Sequence, residues 1–283
     1  MPGKTYQKFI AQVREIQTAT SIEALLDWDQ ETHMPPKGIT ARAAALALVA
    51  GLGHEKLLDR KFARLLDKVE QAQAADPVEA TNVREVRRNY QRRSKLSTAL
   101  VQELARTVAV AKAEWAQARA ASDFGRFAPH LEKLLELKRE VAERIGYDTE
   151  PYDALMDEYE PGARAAAVQQ VFDAVKAELV PLVQALRSAP RQPDTTILER
   201  PCPVPAQAAF GRRVAEAMGF DFEAGRMDTS VHPFCTSMSP LDVRITTRYD
   251  EHFLPMSLFG IMHETGHALY EQGLPAEHAG TPA

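Results

Sequence analysis

The chain has 283 residues, of which 45% are hydrophobic and 26% charged, and its formal net charge is -5. These values are typical of a globular protein with a sizeable core, and the mildly acidic balance disfavours nucleic acid or an anionic membrane as the main partner. Two cysteines are too few for a disulfide framework, and the sequence has no signal-peptide or transmembrane pattern near its start. We therefore expect a cytoplasmic protein.

Helical periodicity dominates the first two thirds of the chain. Five segments show it, separated by proline, glycine or capping residues: 6–26, 41–74, 79–122, 127–145 and 163–186. Three of these segments contain features that interrupt a helix. Gly51–His54 predicts a hinge in the second segment, Ser94–Thr98 a break in the third, and Pro181 a kink in the fifth.

The character of the sequence changes after an irregular, proline-rich stretch at residues 188–205. Up to residue 188 we expect a helical body, and 206–283 is expected to hold a short helix, a strand pair and one further helix. β-Branched residues and alternation between Met227 and Phe253 predict the strand pair. The fold class expected is therefore mainly α, as one domain over 1–283 with a small β element.

The polar residues of the second predicted strand share one face, because side chains alternate along a strand. These residues are Asp242, Arg244, Thr246 and Arg248. A planar guanidinium recognises a carboxylate through paired hydrogen bonds, so Arg244 is a candidate for binding a free peptide C-terminus. A salt bridge from Arg244 to Asp242 or Glu251 is the alternative that the sequence leaves open.

The stretch "FGIMHETGHALYEQGLP" is the strongest functional signal. Pro255 suits the first turn of a helix and Gly273 its end, so the motif is expected in mid-helix. His263 and His267 are four residues apart and can direct their rings to one metal ion, typically zinc. Glu264 lies about 100° around the helix axis from His263. It is therefore expected to act as the general base on a metal-activated water.

The third metal ligand is harder to assign. Glu271 shares the helix face, but it lies ~12 Å along the axis from His263, too far for one ion. Glu277 and His278 follow the helix and could fold back toward the pair. The main expectation is that the third ligand lies beyond Ala283, so that these 283 residues form an incomplete site.

Several motifs, in order along the chain, resemble the carboxypeptidase Taq family of thermostable metallocarboxypeptidases. They are "WDQETHMPP", "ASDFGRFAPHLEKLLELKRE", "PYDALMDEYEPG", "HPF", "DVRITTRY" and "HETGHALYEQGLP". The resemblance implies a gluzincin-like, mainly helical cleft fold, often a homodimer. It also implies a zinc or cobalt ion and release of C-terminal residues, with broad specificity, from peptides with a free C-terminus.

The resemblance extends to individual residues. His263 and His267 match the family's metal ligands, and Glu264 matches its general base. The residues that match the lining of its active site are His232, Asp242, Arg244 and Thr246. The family's third ligand is a glutamate in a His-Glu-Ser-Gln motif, which these 283 residues do not contain. The alternative function is therefore a catalytically incomplete fragment or pseudoenzyme that serves as a helical binding or dimerising scaffold.

Overall fold

The computed structural model describes residues 3–72, 74 and 76–283, and over these residues the chain is mainly helical. Its α-helices are α1 (Lys4–Thr32), α2 (Ile39–Leu57), α3 (Arg60–Gln71), α4 (Pro77–Arg93), α5 (Thr98–Ala121), α6 (Phe124–Ile145), α7 (Pro151–Met156), α8 (Ala165–Arg187), α9 (Val204–Met218) and α10 (Leu254–Gln272). Its strands are β1 (Gly225–Thr229), β2 (Cys235–Ser239) and β3 (Asp242–Thr247). The expectation of a mainly α fold with a small β element is confirmed.

Helices α1 to α7 form the helical body. Helix α1 packs against α2 and α3, α2 lies along α5, and α5 packs against α6. Phe9 of α1 stacks on Phe62 of α3 with ring centroids 5.9 Å apart, and both rings are buried. Burial of such rings is the main source of stability for helices packed in this way.

Two interruptions predicted in this region have different outcomes. The break at Ser94–Thr98 is confirmed, because α4 ends at Arg93 and Ser97 caps α5 by accepting a hydrogen bond from the backbone N–H of Leu100. The prediction of a hinge at Gly51–His54 is wrong, because α2 continues through these residues to Leu57. Gly51 instead serves packing: a Cβ there would overlap the Gln102 side chain of α5.

Most helix boundaries elsewhere agree with the sequence to within a few residues, although α1 continues past the expected end at residue 26 to Thr32. The second periodic segment was expected to reach Ala74, whereas α3 ends at Gln71; residues 73 and 75 lie outside the described part of the chain. Helix α6 ends at Ile145 before Gly146, which has a φ of 83°. Helix α8 continues on both sides of Pro181.

The strand pair expected from the sequence is a three-stranded sheet with the order β1-β3-β2. β1 runs parallel to β3, and β2 runs antiparallel to it. The predicted pair is present as the antiparallel β2 and β3. The further strand, β1, was not predicted because its sequence, "GRMDT", is mostly polar or small and lacks the alternating apolar pattern of a half-buried strand. Pairing with β3 therefore determines β1 more than local propensity does.

Helix α10 covers one face of the sheet. Val243 and Ile245 of β3, both fully buried, pack against Ile261 and Ala268 of α10. Helix α9 lies on another side of α10. No helix in the described residues is both long enough and apolar enough to cross a membrane.

Candidate metal centre

Polar contacts at its N-terminal end fix α10 against α9. Gln207 of α9 is 1% exposed, and its amide nitrogen donates to the backbone carbonyl of Asp250, 2.7 Å away. The Gln207 amide oxygen accepts a hydrogen bond of 2.5 Å from the Ser257 hydroxyl, in the first turns of α10. The start of the helix is therefore held by a buried side chain whose donors and acceptors are satisfied.

The two histidines of the motif lie on the open face of α10, as the spacing predicts. His263 and His267 are exposed, and their Nε2 atoms are 3.2 Å apart. This separation is close to the ~3.4 Å expected between two nitrogens that bind one tetrahedral zinc ion with bonds of ~2.1 Å. The pair therefore fits a zinc ion of the kind that the sequence motif indicates.

Glu264 lies beside this pair but on the buried side, 6% exposed. Burial raises the pKa of its carboxyl, and the neighbouring His263, His267 and His232 lower that pKa. Cys235 of β2 is close enough to Glu264 for the carboxylate charge to affect its thiol. Burial and, secondarily, this charge raise the pKa of the thiol to about 12. A carboxylate in such surroundings is suited to proton transfer, because its pKa is moved toward neutral pH.

His232 lies in the loop between β1 and β2, and Thr246 holds the ends of that loop. The Thr246 hydroxyl accepts from the backbone N–H of Phe234 at 2.9 Å and lies 2.6 Å from the Ser230 hydroxyl. The Ser230 hydroxyl also bonds to the carbonyl of His232 at 2.7 Å. Thr246 is 0% exposed, so it is not open to solvent, and the contacts of its hydroxyl group are with this loop.

Arg244 and Asp242 are engaged with each other. Arg244 makes two hydrogen bonds to the Asp242 carboxylate, of 2.8 and 2.9 Å. Its guanidinium also lies 4.2 Å from the centre of the Trp28 ring of α1, and Arg226 of β1 lies 4.8 Å from the same ring. The salt bridge that the sequence left open as an alternative is therefore present, and a cation–π contact accompanies it.

Arg248 lies near the His232 loop. One of its terminal nitrogens is 3.4 Å from the Val231 carbonyl, and its Nε is buried with no hydrogen-bond partner. Of the five residues expected to line the site, only His232 is classed as exposed.

No third ligand joins the histidine pair within the described part of the chain. There, no group of three or more His, Cys, Asp or Glu side chains is arranged to hold a metal ion. Glu277 and His278 lie in a short 3-10 turn, and Arg14 of α1 donates to the carbonyls of Glu277 at 2.7 Å and Ala279 at 3.2 Å. The segment after α10 therefore packs on α1, and the alternative in which Glu277 or His278 completes the pair is not realised.

Sequence reasoning missed the side chains that support the site from the helical body. Trp115 of α5 is half-buried and meets the His232 ring edge-on with centroids 6.5 Å apart. Arg119 lies one turn further along the same helix. Trp28 of α1 is 5% exposed, and its contact with two arginines has no local sequence signal.

A mainly helical chain with a His-Glu-x-x-His helix, a buried glutamate and an adjoining small sheet is typical of metallopeptidases of the helical, His-Glu-x-x-His class. The family model described as carboxypeptidase Taq (M32) metallopeptidase matches residues 8–283. The chain belongs to this family.

Three similar proteins illustrate the match. Thermostable carboxypeptidase 1 of Thermus thermophilus is 41% identical over 99% of this chain, and Carboxypeptidase 1 of Bacillus subtilis is 32% identical over 98%. The crystal structure of the M32 carboxypeptidase from Deinococcus radiodurans R1 superposes with a TM-score of 0.86 at 37% identity over 99% of this chain. The chain spans 58%, 56% and 56% of these three proteins, respectively.

Proposed function

We propose that this protein is a metal-dependent carboxypeptidase that releases C-terminal residues from peptides with broad specificity. The observation that carries the proposal is the Nε2 pair of His263 and His267, 3.2 Å apart and beside the buried Glu264. The names of the similar proteins support the reaction class. We further propose zinc as the metal, with cobalt able to replace it.

In the proposed mechanism, each residue on α10 has a separate task. His263 and His267 hold the ion, which when bound supplies Lewis-acid polarisation of the peptide carbonyl and lowers the pKa of a water molecule. Glu264 accepts a proton from the attacking water and donates it to the departing amine. Burial raises the Glu264 pKa, which makes the carboxylate a stronger base and favours the step in which it takes the proton from water.

The remaining active-site residues are proposed to contact or orient substrate. His232 is exposed, and its charge lowers the pKa of Glu264. We therefore propose that it contacts a bound peptide. Asp242, Arg244, Thr246 and Arg248 are proposed to shape the same region. Substrate carboxylate binding by Arg244 would require its two bonds to Asp242 to be shared or broken.

The metal site is tested by equilibrium dialysis of the purified protein against Zn²⁺ and Co²⁺. For these 283 residues, whose histidine pair supplies two ligands, we expect weak binding of at most one ion per chain, lost in His263→Ala and in His267→Ala. The matched control is His252→Ala, since His252 is exposed in the loop before α10. A catalytic zinc generally has three protein ligands, and within the described residues no third side chain joins the histidine pair. Affinity that is unchanged in both motif variants would contradict the metal site.

The reaction is tested by amino-acid release from a peptide offered with a free or an amidated C-terminus. We expect release from the free form only, and a loss of about 10²- to 10⁴-fold in Glu264→Gln, with metal binding retained. Equal cleavage of both peptides would contradict carboxypeptidase action. Bound metal without any turnover would favour the alternative, a non-catalytic scaffold.

The cellular setting and assembly are also proposals. Both cysteines, Cys202 and Cys235, are free thiols, which fits a reducing, cytoplasmic compartment. A homodimer is proposed from the family resemblance, and light scattering of the purified protein tests it.

A further inference from the structure

We infer that α5 of the helical body positions His232, with Trp115 and Arg119 acting as positioning residues for the loop 230–234. The inference rests on the proposed function in one respect, namely that His232 contributes to the active site. The physical contacts themselves join two parts of the chain that are more than 100 residues apart, since Arg119 and Val231 are separated by 112 positions.

Two contacts reach the loop from α5. A terminal nitrogen of Arg119 donates to the carbonyl of Val231 at 2.9 Å, immediately before His232. The Trp115 ring meets the His232 ring at an interplanar angle of 89°, an edge-to-face arrangement that is favourable for aromatic rings. Each contact touches the histidine itself or the peptide group next to it.

Trp115 and Arg119 also support each other. The Arg119 guanidinium lies 5.4 Å from the centre of the Trp115 ring, within the distance of a cation–π contact. The residues are four apart on one helix, so they lie on the same face. The loop therefore meets a preformed pair of side chains on a long helix.

Few other contacts fix the middle of the loop. Ser230 and Phe234, at its ends, are tied to β3, where the Ser230 amide donates to the Thr247 carbonyl at 3.0 Å. Within the loop, the Ser230 hydroxyl bonds to the His232 carbonyl at 2.7 Å. Val231 is 40% exposed and His232 is exposed, so burial contributes little to their placement. Arg248 approaches the Val231 carbonyl at 3.4 Å, a longer contact than that of Arg119. The α5 pair therefore supplies the contacts from the helical body that reach the His232 ring and the peptide group before it.

The placement matters because His232 is proposed to contact the bound peptide. Catalytic groups must be held to within a fraction of an ångström, and a misplacement of ~1 Å can reduce a rate by about 10²-fold. Trp115 and Arg119 make no hydrogen bond, ion pair or ring contact with Glu264 or the histidine pair, so their effect would pass through His232.

The test compares Trp115→Ala, Trp115→Phe, Arg119→Ala and Arg119→Lys. Arg106→Ala is the matched control, because Arg106 is a half-exposed arginine on the same helix whose ion pair, within the described part of the chain, is with Glu103. Proton–carbon NMR of the His232 ring and amide exchange at Phe234 are measured in each protein, with circular dichroism to verify folding. These readouts need neither metal nor turnover.

We expect Trp115→Ala to shift the His232 ring signals, and Arg119→Ala to accelerate exchange at Phe234. Trp115→Phe and Arg119→Lys should largely restore the original values, and Arg106→Ala should change neither. Unchanged His232 signals and unchanged exchange in both alanine variants would overturn the inference, whether or not the protein proves to be a peptidase.

Measurements of peptidase activity provide a second test of the inference. If the wild-type protein releases C-terminal residues, Trp115→Ala and Arg119→Ala should lower kcat by about 10- to 100-fold, with metal affinity unchanged. Full activity despite displaced His232 signals would overturn the positioning role. A wild-type protein without turnover would count against the proposed function alone, because the NMR arm still decides the inference.

Discussion

Helices α8 and α10 are both rich in apolar residues but have different surroundings. Helix α8 was predicted from helical periodicity, and α10 from Pro255 and Gly273 at its ends; the two helices span 23 and 19 residues, respectively. Five residues of α10 are buried, whereas α8 buries none. Large apolar side chains of α8 remain open, with Phe172 64%, Leu182 55% and Leu186 61% exposed.

The difference lies in the neighbours. Helix α10 is enclosed by α9, β2 and β3, while the main contact of α8 is with the short α7. Periodicity therefore predicts a helix and its apolar stripe, but it does not predict what covers the stripe. The functional side chains lie on the packed helix, where a rigid support can hold two histidines in register.

The largest expected difference comes from shortening one side chain in each stripe. Ile261→Ala on α10 should lower the free energy of unfolding by about 2–5 kcal/mol, because Ile261 is 1% exposed and its removal leaves a cavity. Leu182→Ala on α8 should change it by no more than about 0.5 kcal/mol. Urea denaturation followed by circular dichroism measures both. Equal losses would break the contrast between the helices.

A smaller effect is expected from adding volume where α9 meets α10. A Cβ at Gly211 would overlap Cδ1 of Ile261, so Gly211→Ala should cost about 1–3 kcal/mol. Ile261→Val removes that methyl group and should recover part of the loss in the double variant. Gly266→Ala is the control, because a Cβ there meets no heavy atom within 4 Å. Additive losses would argue against direct contact.

The same contrast explains which features could be predicted from the sequence. The His263, Glu264 and His267 arrangement follows from helical geometry alone, since it depends on residues four apart or fewer. The break before Thr98 was also predictable, because Ser97 is a local cap. Features that depend on distant partners were not predictable. Helix α2 continues across Gly51, and this glycine leaves room for the Gln102 side chain of another helix.

The surroundings of the site follow the same rule. Alternation correctly grouped the polar residues of β3 on one face, away from the buried Val243 and Ile245, but it could not reveal that Arg244 pairs with Asp242 and stacks on Trp28. That stack needs α1 and β3 to meet, which is a tertiary event. Local patterns define the chemistry-bearing side chains, whereas the contacts that orient them depend on the whole fold.

A buried histidine in the helical body should make the stability of the protein depend on pH. His54 of α2 is 4% exposed and bonds to the Thr98 hydroxyl at 3.2 Å and the Arg93 carbonyl at 3.1 Å. Burial lowers the pKa of its imidazole below the ordinary value, although the bond to Arg93 raises it in part. The unfolded chain then binds a proton more readily than the folded one.

Stability from His54 should accordingly be complete above pH ~6.5 and decline as the pH falls through that value toward the lower folded pKa. Urea denaturation at a series of pH values measures it, and His54→Gln should have a shallower decline in this window. His252→Gln, at an exposed position, is the control. A His54→Gln profile parallel to the wild type would show that other groups cause the decline.

The smallest effect is expected where the α8 stripe becomes polar. Leu179 and Leu182 are 50% and 55% exposed, so replacing both with glutamine removes little buried apolar surface. Each change should alter the free energy of unfolding by no more than about 0.5 kcal/mol. Leu66→Gln, at a fully buried position of α3, is the matched contrast and should destabilise strongly, because it buries an amide without a partner. Thermal unfolding at several protein concentrations completes the test, since a Tm that rises with concentration reports association. If the double variant lost as much stability as Leu66→Gln, or abolished such a rise, the stripe would be covered in solution, and α8 would resemble α10 in being packed.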